Sequence, residues 1–462
     1  MARCRDAARY FCIQTIRGIF MHKYIQGPCA SSRGRSLNSS VRRARCHGTE
    51  TNTRVLRLLI SLCLASTLSV ASAADSPSFG DLLRQAQASA PLLLEQAANV
   101  RAAAADVRQS QTWLNPTLTA TAEDLGAPKQ GGSSQRQDTY TVTQVFEVGG
   151  KRNARVTAER KKAMTAGARE RQARVAYAAE LAIVYATAEA MQRRKEVADA
   201  EAARAEDDLR AAQALVKAGR EAQLRLVQAQ ASLAAAQSDV LAASAASTSA
   251  LARLTALVGA TEPLTRITHP LLSATAPTPA SAWNAADTPA LATAVAEREA
   301  LTAQVRIEEK RWLPDIGVSL GMRRYGWTDE KAATVGLSAT IPLFDRNKAG
   351  INAARERVEG ASQRVEAARL EAIATHGSAT AQVLASDMRV RALEQGELAA
   401  TEAYRLGRLA YDAGKASLLE LLAIRRALAE SQQRTIEARL ERIRAIATLS
   451  TAEGRIAFGD TQ

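Results

Sequence analysis

The sequence predicts a mainly α protein with a small β part: long α-helical hairpins plus two transmembrane β-hairpins per chain, made by duplicating one unit. Three observations carry this. Residues Val216–Gln237 (VKAGREAQLRLVQAQASLAAAQ) and Tyr411–Gln432 (YDAGKASLLELLAIRRALAESQ) align without a gap and share Ala, Gly, Leu, Leu, Leu, Ala and Gln. Each is an Ala-Gly turn between long stretches rich in alanine and arginine, with Gly219 and Gly414 where a helix would end in a left-handed residue. The 462 residues are 47% hydrophobic but only 4% aromatic, which favours long packed helices over a conventional globular core. Finally, the apolar period changes from about 3.6 to 2 in each half of the chain.

The elements follow in order. Residues 1–73 hold twelve of the 61 Lys and Arg residues but only two of the 47 acids, Asp6 and Glu50, so most of the +14 charge belongs to a leader. That removes the main argument for a nucleic-acid partner, and none is expected. Arg54 and Arg57 precede the apolar run Leu58–Val70 and then Ala71-Ser72-Ala73, the pattern of a cleavable signal peptide. The run is shorter than the ~20 residues of a spanning helix. Residues 1–53 read as a start assigned too early. All five cysteines lie in this leader, so the rest needs no disulfide.

The first repeat is expected over 74–262. Ser78-Phe79-Gly80-Asp81 resembles a capping box opening a helix that runs to about Thr112 and stops before Asn115-Pro116. Thr117–Ala122 and Thr139–Phe146 alternate Thr with Leu118, Ala120, Tyr140, Val142 and Phe146, a hairpin of two strands of about ten residues each, long enough to cross a bilayer when tilted. From Lys151 to Val216 a helix would run for roughly 100 Å at 1.5 Å per residue. A returning helix covers about Glu221–Val258. Residues 263–288 form a Pro-rich linker.

The second repeat, 289–462, has the same order. Asp287-Thr288-Pro289 offers a cap with proline in the first helical position. Ile316, Val318, Leu320 and Met322 alternate with Gly and Ser, and Val335, Leu337, Ala339 and Ile341 alternate with Gly, Ser and Thr. Two more long helices meet at the second turn. Leu118, Val142, Ile316, Val318, Leu320, Val335 and Leu337 are thus the candidate lipid-facing positions, with outer-membrane lipid their partner. Trp113, Trp312, Tyr325 and Trp327 stand at strand ends, where aromatics anchor at an interface; packing in a soluble hairpin is the competing reading.

Four strands cannot close a barrel, and single-chain barrels begin at eight. Four strands per chain permit a dimer, a trimer or a tetramer; three chains, a homotrimer, would give a 12-strand β-barrel continued by an α-helical barrel. No metal-ligand spacing, nucleophile set or phosphate loop stands out; His269 and His376 read as ordinary surface residues, and neither an enzyme nor a cofactor is expected.

The duplicated plan, the paired Ala-Gly turns, Gln144-Val145-Phe146-Glu147-Val148-Gly149-Gly150-Lys151-Arg152 and Ile341-Pro342-Leu343-Phe344-Asp345-Arg346-Asn347-Lys348 together resemble the TolC family of outer-membrane efflux channels. They are most similar to its CzcC-type members, the outer components of cobalt-zinc-cadmium pumps. The resemblance implies a trimer in the outer membrane, reaching into the periplasm and docked to a periplasmic adaptor (membrane fusion) protein and an inner-membrane RND pump, with heavy-metal cations as cargo. Drug efflux, type I secretion and a periplasmic coiled-coil adaptor are the alternatives. It also implies a periplasmic gate near the second turn, matched here by Tyr411 and Glu420, with Ala423 where the family has a second acid. The same offset in the first half gives Arg225, a candidate partner for Glu420 across neighbouring helices.

Overall fold

The structure is a computed structural model that describes residues 74–274, 283–328 and 330–459. The leader and signal peptide expected over 1–73 lie outside the described residues, as does part of the linker.

A short strand β1 (Ala74–Ser76) opens the described chain, followed by α1 (Phe79–Ser89), α2 (Pro91–Ser110), β2 (Thr117–Glu123), β3 (Gln137–Phe146), α3 (Lys151–Lys217) and α4 (Gln223–Val258). Then come β4 (Leu264–Ile267), a 3-10 turn at Ala285–Asp287, α5 (Pro289–Lys310), β5 (Ile316–Tyr325), β6 (Lys331–Ala339), α6 (Lys348–Asp412) and α7 (Leu418–Ala452). At 67 and 65 residues, α3 and α6 are each about 100 Å long. Helix α3 packs along α4, and α6 along α7, making two hairpins held side by side through α3 and α7.

The first helical stretch departs from the single helix expected. Pro91 pushes Ala90 into extended backbone (φ −69°, ψ 120°) and restarts the helix as its first residue. Ser78 does cap α1, its Oγ accepting from the Asp81 amide at 3.2 Å. Thr288 stands at the cap position of α5 without capping it; its hydroxyl instead donates to Ala452 O, tying α5 to the end of α7. Strand β2 has seven residues rather than ten. Among the described helices α4 is long and apolar enough to cross a membrane by length and composition alone. Scattered Gln and Ser hide this in the sequence, and the helix packs along α3.

The linker is more ordered than its prolines suggest. β4 pairs in parallel with β1, and one face of α3 holds the linker residues from Ile267 to Leu272. Tyr185 Oη donates to His269 O at 2.7 Å. Glu189 Oε2 accepts from the amides of Leu271 and Leu272 at 2.6 and 3.0 Å. Gln192 and Ile267 exchange both amide bonds, at 2.9 and 3.3 Å. The main apolar core lies at this height: Leu82, Leu181, Leu254, Ile443 and Ile446 are buried, and Phe79 meets Tyr185 and Phe458 edge-on at 6.0 Å. Burying each such aliphatic side chain contributes about 1.5–3 kcal/mol. His376 also departs from the free surface residue expected: its ring stacks on Trp283 at 3.9 Å, with Nε2 3.7 Å from the buried Glu453 carboxylate. His269 is exposed as expected.

Candidate functional site

Strands β2, β3, β5 and β6 form an antiparallel sheet in the order β2-β3-β5-β6. Its register sorts the side chains. Leu118, Val142, Leu320 and Val335 stand in one row across all four strands, and Val318 pairs with Leu337. Phe146 and Ile316 form the next row. This face turns outward: Leu118, Val335 and Leu337 are 73%, 78% and 75% exposed, and Ile316 is half-buried. The opposite face carries Thr119, Thr141, Gly321 and Thr334 in one row and Thr117, Thr143, Ser319 and Gly336 in the next.

The polar face is also the crowded one. A Cβ on Gly321 would lie 2.6 Å from Thr334 Oγ1, 2.7 Å from Tyr140 O and 2.8 Å from Thr141 Oγ1. Small residues on a tight, polar face and branched apolar residues on the other suit a sheet with lipid outside and water within. Ten residues at about 3.3 Å each, tilted by about 40°, span about 25 Å, the height of such an apolar band. Trp113 and Trp312 mark one end of the strands, and Tyr325 and Trp327, 4.6 Å apart, the other. Among the described residues β2 and β6 each have a free edge, so the sheet does not close on itself.

The Gly-Gly-Lys-Arg segment fastens this sheet to the helices. Lys151 pairs with Asp315 at 2.8 Å, ahead of β5. Arg152 Nε donates to Gln111 O at 2.9 Å and its guanidinium lies 5.3 Å from the Trp113 ring. Arg155 donates to Ser110 O and Thr112 O, placing positive charge on the carbonyl end of α2, and pairs with Glu147 at 2.6 Å.

At the far end both turns close as the glycines predict. Gly219 and Gly414 have φ of 67° and 71°. Gly219 N donates to Val216 O and Arg220 N to Leu215 O, while Gly414 N donates to Tyr411 O and Lys415 N to Ala410 O, the same double closure in each half. Tyr411 is half-buried in the last turn of α6. Glu420 is exposed in the first turn of α7, where its amide donates to the Ser417 cap. Arg225, in the first turn of α4, pairs with Glu221 in the turn just before that helix. Among the described residues no ion pair joins Arg225 to Glu420 within the chain.

The group that does join the hairpins near the tip is one that motif and spacing do not single out. Arg425 of α7 is 5% exposed and reaches into the first hairpin, paired with Asp208 and, at 2.6 Å, with Glu201, while its Nη2 donates to Ser232 Oγ of α4 at 2.9 Å. Arg408 of α6 lies 3.7 Å from Asp208. Burial pushes the Asp208 carboxyl above its ordinary range, with Arg425 and Arg408 pulling the other way. Breaking such a buried pair from one side costs roughly 3–5 kcal/mol, because the other charge is left unpaired. The sequence does hold a faint signal: Arg425 interrupts the buried stripe Leu418, Leu421, Leu428, and Asp208 the stripe Ala205, Ala212. A charge at an inward position of a coiled seam needs a partner across it.

The arrangement is a spanning sheet at one end and a pinned helical tip at the other. Among the described residues no group of three or more His, Cys, Asp and Glu is placed to hold a metal ion. The sequence profile of the outer membrane efflux proteins matches residues 82–260 and 285–455. The chain is 53% identical over 403 residues to the nickel-cobalt-cadmium resistance protein NccC of Alcaligenes xylosoxydans xylosoxydans, covering 87% of this chain and 92% of that protein. It is 52% identical over 395 residues to the nickel and cobalt resistance protein CnrC of Cupriavidus metallidurans, covering 86% and 94%. Among solved structures, the outer-membrane channel OprN superposes with a TM-score of 0.70 at 21% identity, over 82% of this chain and 90% of that one.

Proposed function

The chain belongs to the outer membrane efflux protein family, and on that premise we propose that it is the exit duct of a tripartite RND-type pump for divalent heavy-metal cations. It is a transport duct of the outer membrane and not an enzyme. Three copies close the sheet, their helices continue the passage into the periplasm, and a periplasmic adaptor protein links them to the inner-membrane pump that supplies the energy.

The observation that carries the duct is the open sheet itself: apolar outside, Thr, Ser and Gly inside, continuous with helices of about 100 Å. The cargo rests on the relatives, whose names specify resistance to nickel, cobalt and cadmium. We place the periplasmic gate at the helical tips, where Tyr411, Glu420 and Arg225 flank the two turns.

A deletion strain grown against nickel, cobalt, cadmium, zinc and a panel of drugs tests the cargo. Tolerance to nickel, cobalt and cadmium should fall several-fold and return with the plasmid-borne gene. Unchanged tolerance to every metal overturns the metal assignment, and sensitivity to drugs alone makes the chain a drug duct.

A further inference from the structure

Inside one chain, β3 leads into α3 beside the place where α5 leads into β5, and this junction is filled. Leu313 occupies the space that a Cβ on Gly149 would need, Lys151 pairs with Asp315 at 2.8 Å, and Lys310 Nζ donates to Gly149 O at 2.5 Å. The second half repeats the strand-to-helix turn where β6 leads into α6, now at the free edge of the sheet. There Ile341, Leu343 and Phe344 are 70%, 67% and 101% exposed. The matching entry, from α2 into β2, stands at the opposite free edge, with Trp113, Leu114 and Leu118 at 63%, 40% and 73%.

Strand directions make these two halves complementary. β6 runs toward its helix and β2 away from its helix, so β2 of a second copy laid along the β6 edge is antiparallel to it. That pairing brings the second copy's Trp113-Leu114 beside Ile341–Phe344.

We infer that Ile341, Leu343 and Phe344 of one copy and Trp113 and Leu114 of the next form an apolar clasp at the foot of the sheet. It is the between-copies version of the filled Leu313–Gly149 junction, and its partner is a second copy of this chain. Lipid is the weaker occupant. The segment from Pro342 to Asn347 is neither helix nor strand and includes Asp345 and Arg346, whose backbone and charges hydrocarbon would leave unsatisfied. Trp113 already carries the Arg152 guanidinium against its ring.

The inference rests on the duct reading, and the two fail differently. Residues 74–462 contain no cysteine, so Phe344→Cys with Leu114→Cys provides a clean thiol pair. In outer membranes a flexible bis-maleimide should convert the double variant into covalent dimers and trimers and leave each single variant monomeric on heated gels. Phe344→Ser should lower the temperature at which the unheated oligomer dissociates, and Phe344→Leu should restore most of it. If the wild type runs as an oligomer but the pair does not cross-link and Phe344→Ser shifts nothing, the clasp is wrong and the duct stands. If the unheated wild type is monomeric, both fall.

Discussion

Glu189 is 4% exposed, and its carboxylate is held by two linker amides rather than by water. Burial pushes its pKa above the ordinary 4.5, while those amides, Arg193 and Arg439 pull it down by less. The folded state therefore holds the proton more tightly than the unfolded one. The resulting stabilisation is complete below about pH 4.5 and is lost as pH rises through the raised folded value, at ~1.4 kcal/mol for each tenfold difference in proton affinity between the two states. Glu189→Gln keeps an acceptor for the amides and cannot ionise. Thermal unfolding of both proteins followed from about pH 4 to about pH 8 should show them matched at the acid end and the wild type falling behind toward neutrality; a constant gap would mean the carboxyl is not raised. Residues of this kind are hidden in the sequence. Gly219 and Gly414 are legible because a left-handed helix end selects glycine from local geometry alone. Glu189 and Arg425 draw their meaning from partners far along the chain, such as Asp208, and only the apolar spacing around Arg425 hints at one.

The elements themselves are largely legible, since each depends on a period that the sequence displays. The strands appear through alternation of Thr, Ser and Gly with branched residues, and their register places the predicted lipid-facing set on one face. The departures come where one contact overrides the pattern: Pro91 splitting the first helix, Thr288 turning its hydroxyl to Ala452, and β4 pairing with a distant β1. The alternation also hides a steric rule. Gly321 has oxygens of three neighbours within 3 Å of where a Cβ would stand, one of them backbone. Gly321→Val should therefore abolish the unheated oligomer in outer-membrane fractions, while Leu320→Val on the outer face leaves it. Equal oligomer yields from both would show that the polar face is not the tight one.

For the molecule as a whole, duplication announces the plan, and the family resemblance extends it to a trimer with partners. The gate is the part that still rests on spacing. Glu420 is exposed, and within the chain its expected partner Arg225 pairs with Glu221, so the gate role proposed for Glu420 requires the passage or another copy as its counterpart. Glu420→Ala should raise single-channel conductance in planar bilayers and reduce preference for cations; traces indistinguishable from wild type would remove it from the gate. The stapled linker adds a mechanical consequence. Tyr185, Glu189 and Gln192 fix the chain between the two halves to one face of α3, well above the Gly219 turn. About 45 Å of helix separates that waist from the tip. A rotation of about five degrees there would carry the tip ~4 Å sideways by geometry alone. Relative to that waist the hairpins are long levers, and the clamp at Arg425 joins them near the end where the least force is needed to stop them turning.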